Sequence, residues 1–464
     1  MIQLPSSLTP IIDTLLLKNL RPVVVGGFVR DALLGLPSKD IDIEVFGVED
    51  LETLESLLIP FGKVNTVGKS FGVVKLQLEE TEVDFSIPRT EEKVSKGHKG
   101  FDVILDGSLS FKEAASRRDF TINAMGYDLS NKSLLDPFNG QKDLQQRRLT
   151  FVEAETFVED PLRLYRAVQF AARFNLEPTA ELTALAQKMV DQKMLAELPK
   201  ERVFEEFKKL LLKSAKPSQG FKVLDTFGML PYFPELLALQ GVPQDPIYHP
   251  EGDVWIHTMM VVDVMSRLHT DDQEKNLYLS LAALCHDLGK SNTTEEIDGR
   301  IRAIGHENTG VVLTQNFIER LSDKKRLLEK ILPLIKHHLK PLQFYKQGAK
   351  SAAIRRLANQ VNISDLVVLS EADFFGRTTL EAKGGQFDAG SWLLKRAEAL
   401  KVDQKPMPAL LQGRDLVMLG LKPSKQFKAL LDQAYEAQLD EVFVTHEEAV
   451  VWLQQVLIAN SEQN

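Results

Sequence analysis

A single cysteine, Cys285, excludes an internal disulfide framework, and its place in the apolar run Leu281–Cys285 reads as a small core residue. Apolar runs long enough to span a bilayer are absent, and Met1 to Thr9 carries no basic stretch followed by an apolar one. A cytoplasmic location with no membrane partner is the expectation. A basic surplus is missing too: 56 Lys and Arg stand against 65 Asp and Glu, a net charge of −9. That excludes a uniformly basic surface, so any nucleic acid must be met by local patches. No internal repeat or low-complexity tract is present. At 464 residues the chain exceeds one compact core, and two to four domains are expected.

What is there divides in two. From Arg21 to about Asp136, β-rich runs (Val23–Val25, Ile41–Phe46, Val73–Leu78, Val83–Ile87) alternate with helical or glycine-marked segments; beyond Glu153 helical periodicity dominates. The fold class is therefore α+β, an α/β head followed by a mostly helical remainder. Tyr232-Phe233-Pro234 and the three prolines between Gly241 and Pro250 place a boundary near residue 235. A second break runs from Lys383-Gly384-Gly385 to Pro406-Met407-Pro408.

The head opens with "VVVGGFVRDALLG" and then "KDIDIEV". On a strand, Asp40 and Asp42 project from one face, and two carboxylates that close repel unless a cation lies between them. Magnesium, satisfied by carboxylate and phosphate oxygens, suits them. Gly26-Gly27 permits close backbone approach, a helix over Phe28–Leu34 would turn its free amides to phosphate, and Arg30 supplies a fork for phosphate oxygens. Taken alone, each piece also fits a turn and two solvated aspartates; the ordered combination favours a metal and triphosphate site. In "SRRDFTINAM", read as helical, Arg118 is a phosphate contact, with Asp119 and Asn123 handling ribose or the geometry of the head; local ion pairs on a surface helix are the plainer reading. In "EDPLRLYRAVQF", Asp160 caps a helix with Pro161 in its first turn, and Asp160, Arg163 and Arg166 recur at threes on one face. That spacing fits an i,i+3 ion pair, or donors and acceptors offered to a base edge.

Together with "DPFNGQKDL" and "ERVFEEFKKLLL", these motifs resemble the class II tRNA nucleotidyltransferase and poly(A) polymerase family, most closely bacterial CCA-adding enzymes, over residues 20–235. The resemblance implies a nucleotidyltransferase head at 1–150 and a helical nucleotide-selecting neck and body at 151–235. It implies that Asp40 and Asp42 bind Mg2+, that Gly27, Arg30 and Arg118 contact the triphosphate, and that Asp160 and Arg163, with Arg166 alongside, template the incoming CTP or ATP. Gln169 stands where the family usually has arginine. The implied activity is addition of CMP and AMP to the tRNA acceptor end without a nucleic-acid template; poly(A) synthesis and CC-only or A-only addition share the pocket and stay open, and the segment Thr90–Phe101 bears on the choice. The basic stretch Lys200, Arg202, Lys208, Lys209, Lys213 and Lys216 is the expected acceptor-stem contact, whereas Lys422, Lys425 and Lys428 read as a solvated helix face.

Six of the nine histidines fall between His257 and Asp373. His286-Asp287 follows a buried apolar run, where two such groups need compensation that a cation gives. "HTMMVVD", "LCHDLGK", "GHENTG", "IKHH" and "SEADFFGR" resemble the HD phosphohydrolase domain, here residues 236–380, ahead of a helical tail at 381–464. The resemblance implies a divalent metal held by His257, His286, Asp287 and Asp373, with His286 and Asp287 catalytic, and phosphate or a second metal at His306 and His338; His338 is favoured over its neighbour His337. It implies 2′,3′-cyclic phosphodiesterase, 2′-nucleotidase and phosphatase activities. A metal-dependent nucleotide hydrolase with an RNA-binding N-terminal part is the reading from another class. The oligomeric state is left open between monomer and homodimer.

Overall fold

The computed structural model describes residues 2–38, 40–68, 72–78, 81–93 and 101–462. It divides into two compact units, Met1–Tyr232 and Phe233–Asn464.

The first unit runs α1 (Thr9–Leu17), β1 (Arg21–Val25), α2 (Gly27–Leu33), β2 (Ile41–Phe46), α3 (Leu51–Leu58), β3 (Lys63–Gly68), β4 (Val73–Gln77) and β5 (Glu82–Ser86). A hairpin of β6 (Arg89–Lys93) and β7 (Phe101–Leu105) follows, then α4 (Phe111–Ser116), β8 (Gly126–Asp128), β9 (Ser133–Leu135), α5 (Gly140–Gln145) and β10 (Arg148–Leu149). Seven strands form one sheet in the order β3-β4-β5-β2-β1-β8-β9, with only β2 and β5 parallel. Val23, Val24 and Val25 are buried, as a β-branched run must be in a central strand. Gly26 turns the chain from β1 into α2 at φ +72°, a left-handed conformation that other residues rarely adopt. Of the segment Thr90–Phe101, the ends lie in the paired strands β6 and β7, and 94–100 lies outside the described residues.

Next come α6 (Ala154–Phe157), α7 (Leu162–Phe174), β11 (Glu177–Pro178), α8 (Ala180–Asp191), α9 (Lys200–Lys213) and α10 (Pro217–Thr226), with α7 packed on both α9 and α10. Edge-on contacts of Phe120 with Phe157 and Phe170, both at 5.6 Å, tie the head to α6 and α7. Two local expectations are corrected. The stretch "SRRDFTINAM" is not a helix: α4 ends at Ser116 and only Thr121–Asn123 forms a 3-10 turn. Asp119 Oδ1 accepts from the Phe120 amide and from Asn123 Nδ2, drawing the backbone out of helical geometry. Asp160 stands one residue before the helix cap, Pro161, and accepts from the Leu162 amide at 3.1 Å. It pairs with Arg202 at 3.1 Å rather than with Arg163, whose guanidinium donates to the carbonyls of Thr156 and Arg117.

In the second unit, α11 (Pro234–Leu237) and α12 (Val254–Arg267) precede α13 (Gln273–Cys285), buried at every position from Asn276 onward. A helix enclosed on all sides is the centre of its unit, and Cys285 lies at its end as an inert core residue. After α14 (Lys290–Thr293), β12 (Thr294–Ile297) and β13 (Arg300–Ala303) form a hairpin that the helical reading of this half overlooks; Asp298-Gly299, both at positive φ, is its turn. Then come α15 (His306–Leu321), α16 (Lys325–His337), α17 (Lys340–Gln347), α18 (Ser351–Ala358), α19 (Ile363–Phe375), α20 (Leu380–Lys383) and α21 (Asp388–Ala399). The last helices, α22 (Gly413–Met418), α23 (Gln426–Leu439) and α24 (His446–Glu462), share a small core of Leu411, Leu416, Ala434, Phe443, Ala449 and Leu453. No helix among the described residues is long and apolar enough to cross a membrane.

Candidate active sites

In the first unit, a cavity of about 550 Å3 is lined by Gly26, Gly27, Arg30, Asp40, Asp42, Arg118, Asp160, Arg163 and Arg166, all singled out from three separate stretches of sequence. Asp42 lies on β2, with Asp40 just before it, at the junction with a second cavity that contains Asp84 and Lys75. Register places Asp84 of β5 opposite Asp42, which brings a third carboxylate that sequence reasoning missed. The alternation Val83-Asp84-Phe85 was its only signal. Lys75 Nζ holds Asp84 at 3.1 Å and Glu82 at 2.9 Å. Desolvation raises the Asp42 pKa, Arg118 opposes this, and repulsion from Asp84, Asp40 and Glu44 adds to it. Carboxylate oxygens gathered this closely are the donor set a hard divalent cation fits.

The cations around them are held in different ways. Arg118 pairs with buried Glu44 at 2.8 Å and also faces the Asn123 carbonyl. Arg30 is buried, with Nε and Nη2 donating to Asp31 and Nη1 to Asn123 Oδ1, and stacks 4.2 Å above the Phe174 ring. Its fork is thus largely occupied by protein. Arg166 pairs with buried Asp119 at 2.5 Å. Gln169 is buried on the same wall with Oε1 lacking a hydrogen-bond partner. From the expected RNA patch, Arg202, Lys209 and Lys213 line the cavity, whereas Lys208 is half-buried and only loosely paired with Glu205 at 3.8 Å. Lys422, Lys425 and Lys428 are exposed.

The second unit gathers the other set. His257 Nε2 lies 3.1 Å from Asp373 Oδ1 and 3.7 Å from Asp287 Oδ2, and His286 Nε2 lies 3.2 Å from that same oxygen. Asp287 Oδ1 faces His306 Nε2 at 3.4 Å and His338 Nε2 at 3.9 Å, the two rings being 3.2 Å apart at Nε2. One carboxylate therefore serves two ligand triads, His257/His286/Asp373 and Asp287/His306/His338, through different oxygens. His337 joins neither. His286 Nε2 is buried without a hydrogen-bond partner, an orphan that a metal would satisfy.

Three of the four rings are oriented alike: the Nδ1 atoms of His286, His306 and His338 bond the carbonyls three residues earlier, of Ala283, Ala303 and Ile335, at 2.8, 2.7 and 2.6 Å. A proton fixed on Nδ1 leaves Nε2 free as a ligand. Despite the cost of burial, His286 and Lys290 hold the Asp287 carboxyl well below its ordinary range, and Arg377 does the same for Asp373. Burial first, then His306, pushes His338 down to about 3, so it is neutral. A cavity of about 260 Å3 opens beside Asp287, His306, His338 and Asp373, with Lys290, Arg302, Lys346 and Arg377 on its walls. Gly289 permits close packing here: a Cβ would lie 2.0 Å from the His306 carbonyl oxygen. Sequence reasoning missed Lys290 and Arg377, although "HDLGK" and "FFGR" contain them.

Family models match three stretches: "Poly A polymerase head domain" at 23–150, "Probable RNA and SrmB- binding site of polymerase A" at 175–239 and "HD domain" at 254–375. The "Multifunctional CCA protein" of Cupriavidus metallidurans is 36% identical over 367 residues, 76% of this chain and 84% of the relative. The protein of that name from Methylobacillus flagellatus is 37% identical over 371 residues, 78% and 85% of the two chains. The chain belongs to the class II CCA-adding enzyme family, the multifunctional CCA proteins. The fold agrees with the Bacillus stearothermophilus CCA-adding enzyme in complex with CTP, at TM-score 0.69 and 19% identity over 99% of this chain and 100% of the other. It also agrees with the Thermotoga maritima CCA-adding enzyme complexed with tRNA_CCA, at 0.58 and 21%, over 98% and 97%. As in other multifunctional CCA proteins, the nucleotidyltransferase is joined to an HD phosphohydrolase domain.

Within this CCA-adding enzyme, the Asp119–Arg166 pair fastens the "RRDF" turn to α7. Asp119→Ala would leave Arg166 without its partner and the Phe120 amide and Asn123 without their acceptor. Breaking a buried pair costs about 3–5 kcal/mol; because the Arg166 side chain is 32% exposed, we expect about 2–4 kcal/mol, read from the denaturant transition of the first unit.

Proposed function

We propose that the first cavity adds CMP and AMP from CTP and ATP to the 3′ end of tRNA without a nucleic-acid template, in the cytoplasm. The observation that carries this reading is the convergence of Asp40, Asp42, Arg118, Asp160 and Arg163 on one cavity from distant parts of the chain. Asp40 and Asp42, joined by Asp84, would hold Mg2+, whose chemistry is activation of the attacking hydroxyl and neutralisation of the leaving pyrophosphate. Gly26, Gly27 and Arg118 border the space for the triphosphate. Arg163, anchored through two backbone carbonyls, and Asp160, held by Arg202, would present donor and acceptor to the base edge. The terminal 3′-hydroxyl of the RNA attacks the α-phosphorus and pyrophosphate departs, with positioning and charge supplying most of the acceleration.

We assign the second cavity metal-dependent hydrolysis of phosphate esters, including 2′,3′-cyclic and 2′-phosphates. His257, His286, Asp287 and Asp373 would hold a divalent metal, with His306 and His338 holding a second metal or phosphate. The chemistry supplied when metal is bound is activation of water. Lys290 and Arg377 border the same space and offer charge to a phosphate.

Incubation with tRNA lacking one, two or three terminal nucleotides tests the first assignment. CTP alone is expected to add two residues to tRNA lacking all three, and ATP alone one residue to tRNA ending in CC. Extension of an unrelated RNA by ATP alone would replace this reading with poly(A) synthesis.

A further inference from the structure

His257 is the exception among the four imidazoles. His286 and His338 stand at helix C-termini and His306 at a helix start, where Nδ1 reaches the carbonyl three residues back. His257 sits in the first turn of α12, and the carbonyl three residues back, that of Val254, belongs to the first residue of the same helix. No carbonyl serves its Nδ1. Glu251 stands there instead: Oε1 lies 2.9 Å from Nδ1 of His257, in ion-pair contact but without hydrogen-bonding geometry, and 2.9 Å from Nδ1 of His249, which it does bond. The Glu251 carboxylate is almost fully enclosed at 1% exposure, and Oε2 accepts from the Thr378 amide at 3.1 Å. Thr378 directly follows Arg377, the partner of Asp373.

We propose that Glu251 is the positioning residue of the metal centre: its carboxylate replaces the missing backbone carbonyl, keeps the His257 proton on Nδ1 and aims Nε2 at Asp373 and Asp287. Through Thr378 the same carboxylate ties the start of α12 to the turn that carries Arg377. A carboxylate behind a ligating imidazole orients the ring and raises its basicity, and loss of such a partner costs about 10–100-fold in metal affinity. His249 completes the clamp, its Nδ1 bonding the same Glu251 oxygen.

The inference rests on reading His257, His286, Asp287 and Asp373 as metal ligands. The test is a Co2+ titration of the full chain, followed by visible absorption, in which nitrogen ligation separates this centre from the all-oxygen site of the other unit. Wild type, Asp287→Ala and Glu251→Gln are compared, with the melting temperature of each metal-free protein as control. Wild-type Co2+ spectra from Asp287→Ala would refute the metal-ligand reading itself. If Asp287→Ala abolishes the signal, Glu251→Gln is expected to weaken Co2+ binding about 10–100-fold with little change in metal-free melting. Wild-type affinity in Glu251→Gln, or a lower melting temperature with affinity intact, would overturn the positioning role. Should the glutamine variant fail to fold, Glu251→Asp keeps the charge but withdraws the oxygen by one methylene. It is expected to show an intermediate loss of affinity, and unchanged affinity there overturns the proposal equally.

Discussion

Asp42→Ala lowers CMP addition to tRNA by about a thousandfold or more, while hydrolysis of a 2′,3′-cyclic nucleotide by the same preparation continues at the wild-type rate. The estimate follows from a carboxylate–metal contribution of several kcal/mol, each 1.36 kcal/mol being tenfold in rate. Burial first, and then the charges of Asp84 and Asp40, raises the Asp42 pKa, so this carboxylate lies where the three negative charges converge. Removing it eases the repulsion in the metal-free protein but withdraws the carboxylate proposed as the metal's central ligand. Asp42→Asn separates charge from shape: the amide keeps the volume and loses the negative charge, so addition falls about as far as in the alanine variant. Single-turnover incorporation of labelled CMP measures both. Retention of wild-type incorporation by either variant would remove Asp42 from the mechanism.

Asp287→Ala produces the converse result. Hydrolysis falls by about a thousandfold or more, on the same reckoning of metal charge, and nucleotide addition persists. The second triad loses its carboxylate and the first loses the oxygen beside it, because Oδ1 faces His306 and His338 while Oδ2 faces His257 and His286. Chelation provides the companion measurement. Wild-type hydrolysis disappears with EDTA and returns on readdition of a divalent metal, whereas the variant stays inactive throughout. A hydrolase that survives Asp287→Ala would place its chemistry elsewhere.

How much of this was legible depended on the distance over which a pattern acts. The central strands were readable because Val23–Val25 and Ile41–Phe46 are dense runs of β-branched and apolar residues. Side chains within each motif were readable because spacing along one element decides them. Asp84 was not, since its place opposite Asp42 depends on parallel pairing of β2 with β5, which neither segment encodes alone. The partner of Asp160 was misjudged for the same reason: local spacing offers Arg163, but α9 delivers Arg202. The "RRDFTINAM" stretch has a helix-like spacing, yet the carboxylate of Asp119 captures nearby donors and ends the helix early. In the second unit, the β12–β13 hairpin carried its Asp298-Gly299 turn openly but was masked by the helical surroundings.

The way the imidazoles are anchored sets an uneven tolerance to genetic drift. For His286, His306 and His338 the anchoring atom is a peptide oxygen, which survives any substitution at positions 283, 303 and 335 that preserves the backbone. For His257 the anchor belongs to a side chain, and one nucleotide change in the codon for Glu251 can remove it. Random mutagenesis under selection for hydrolysis should therefore leave varied residues at half-buried position 303, a choice of apolar residues at core positions 283 and 335, and a near-invariant residue at 251.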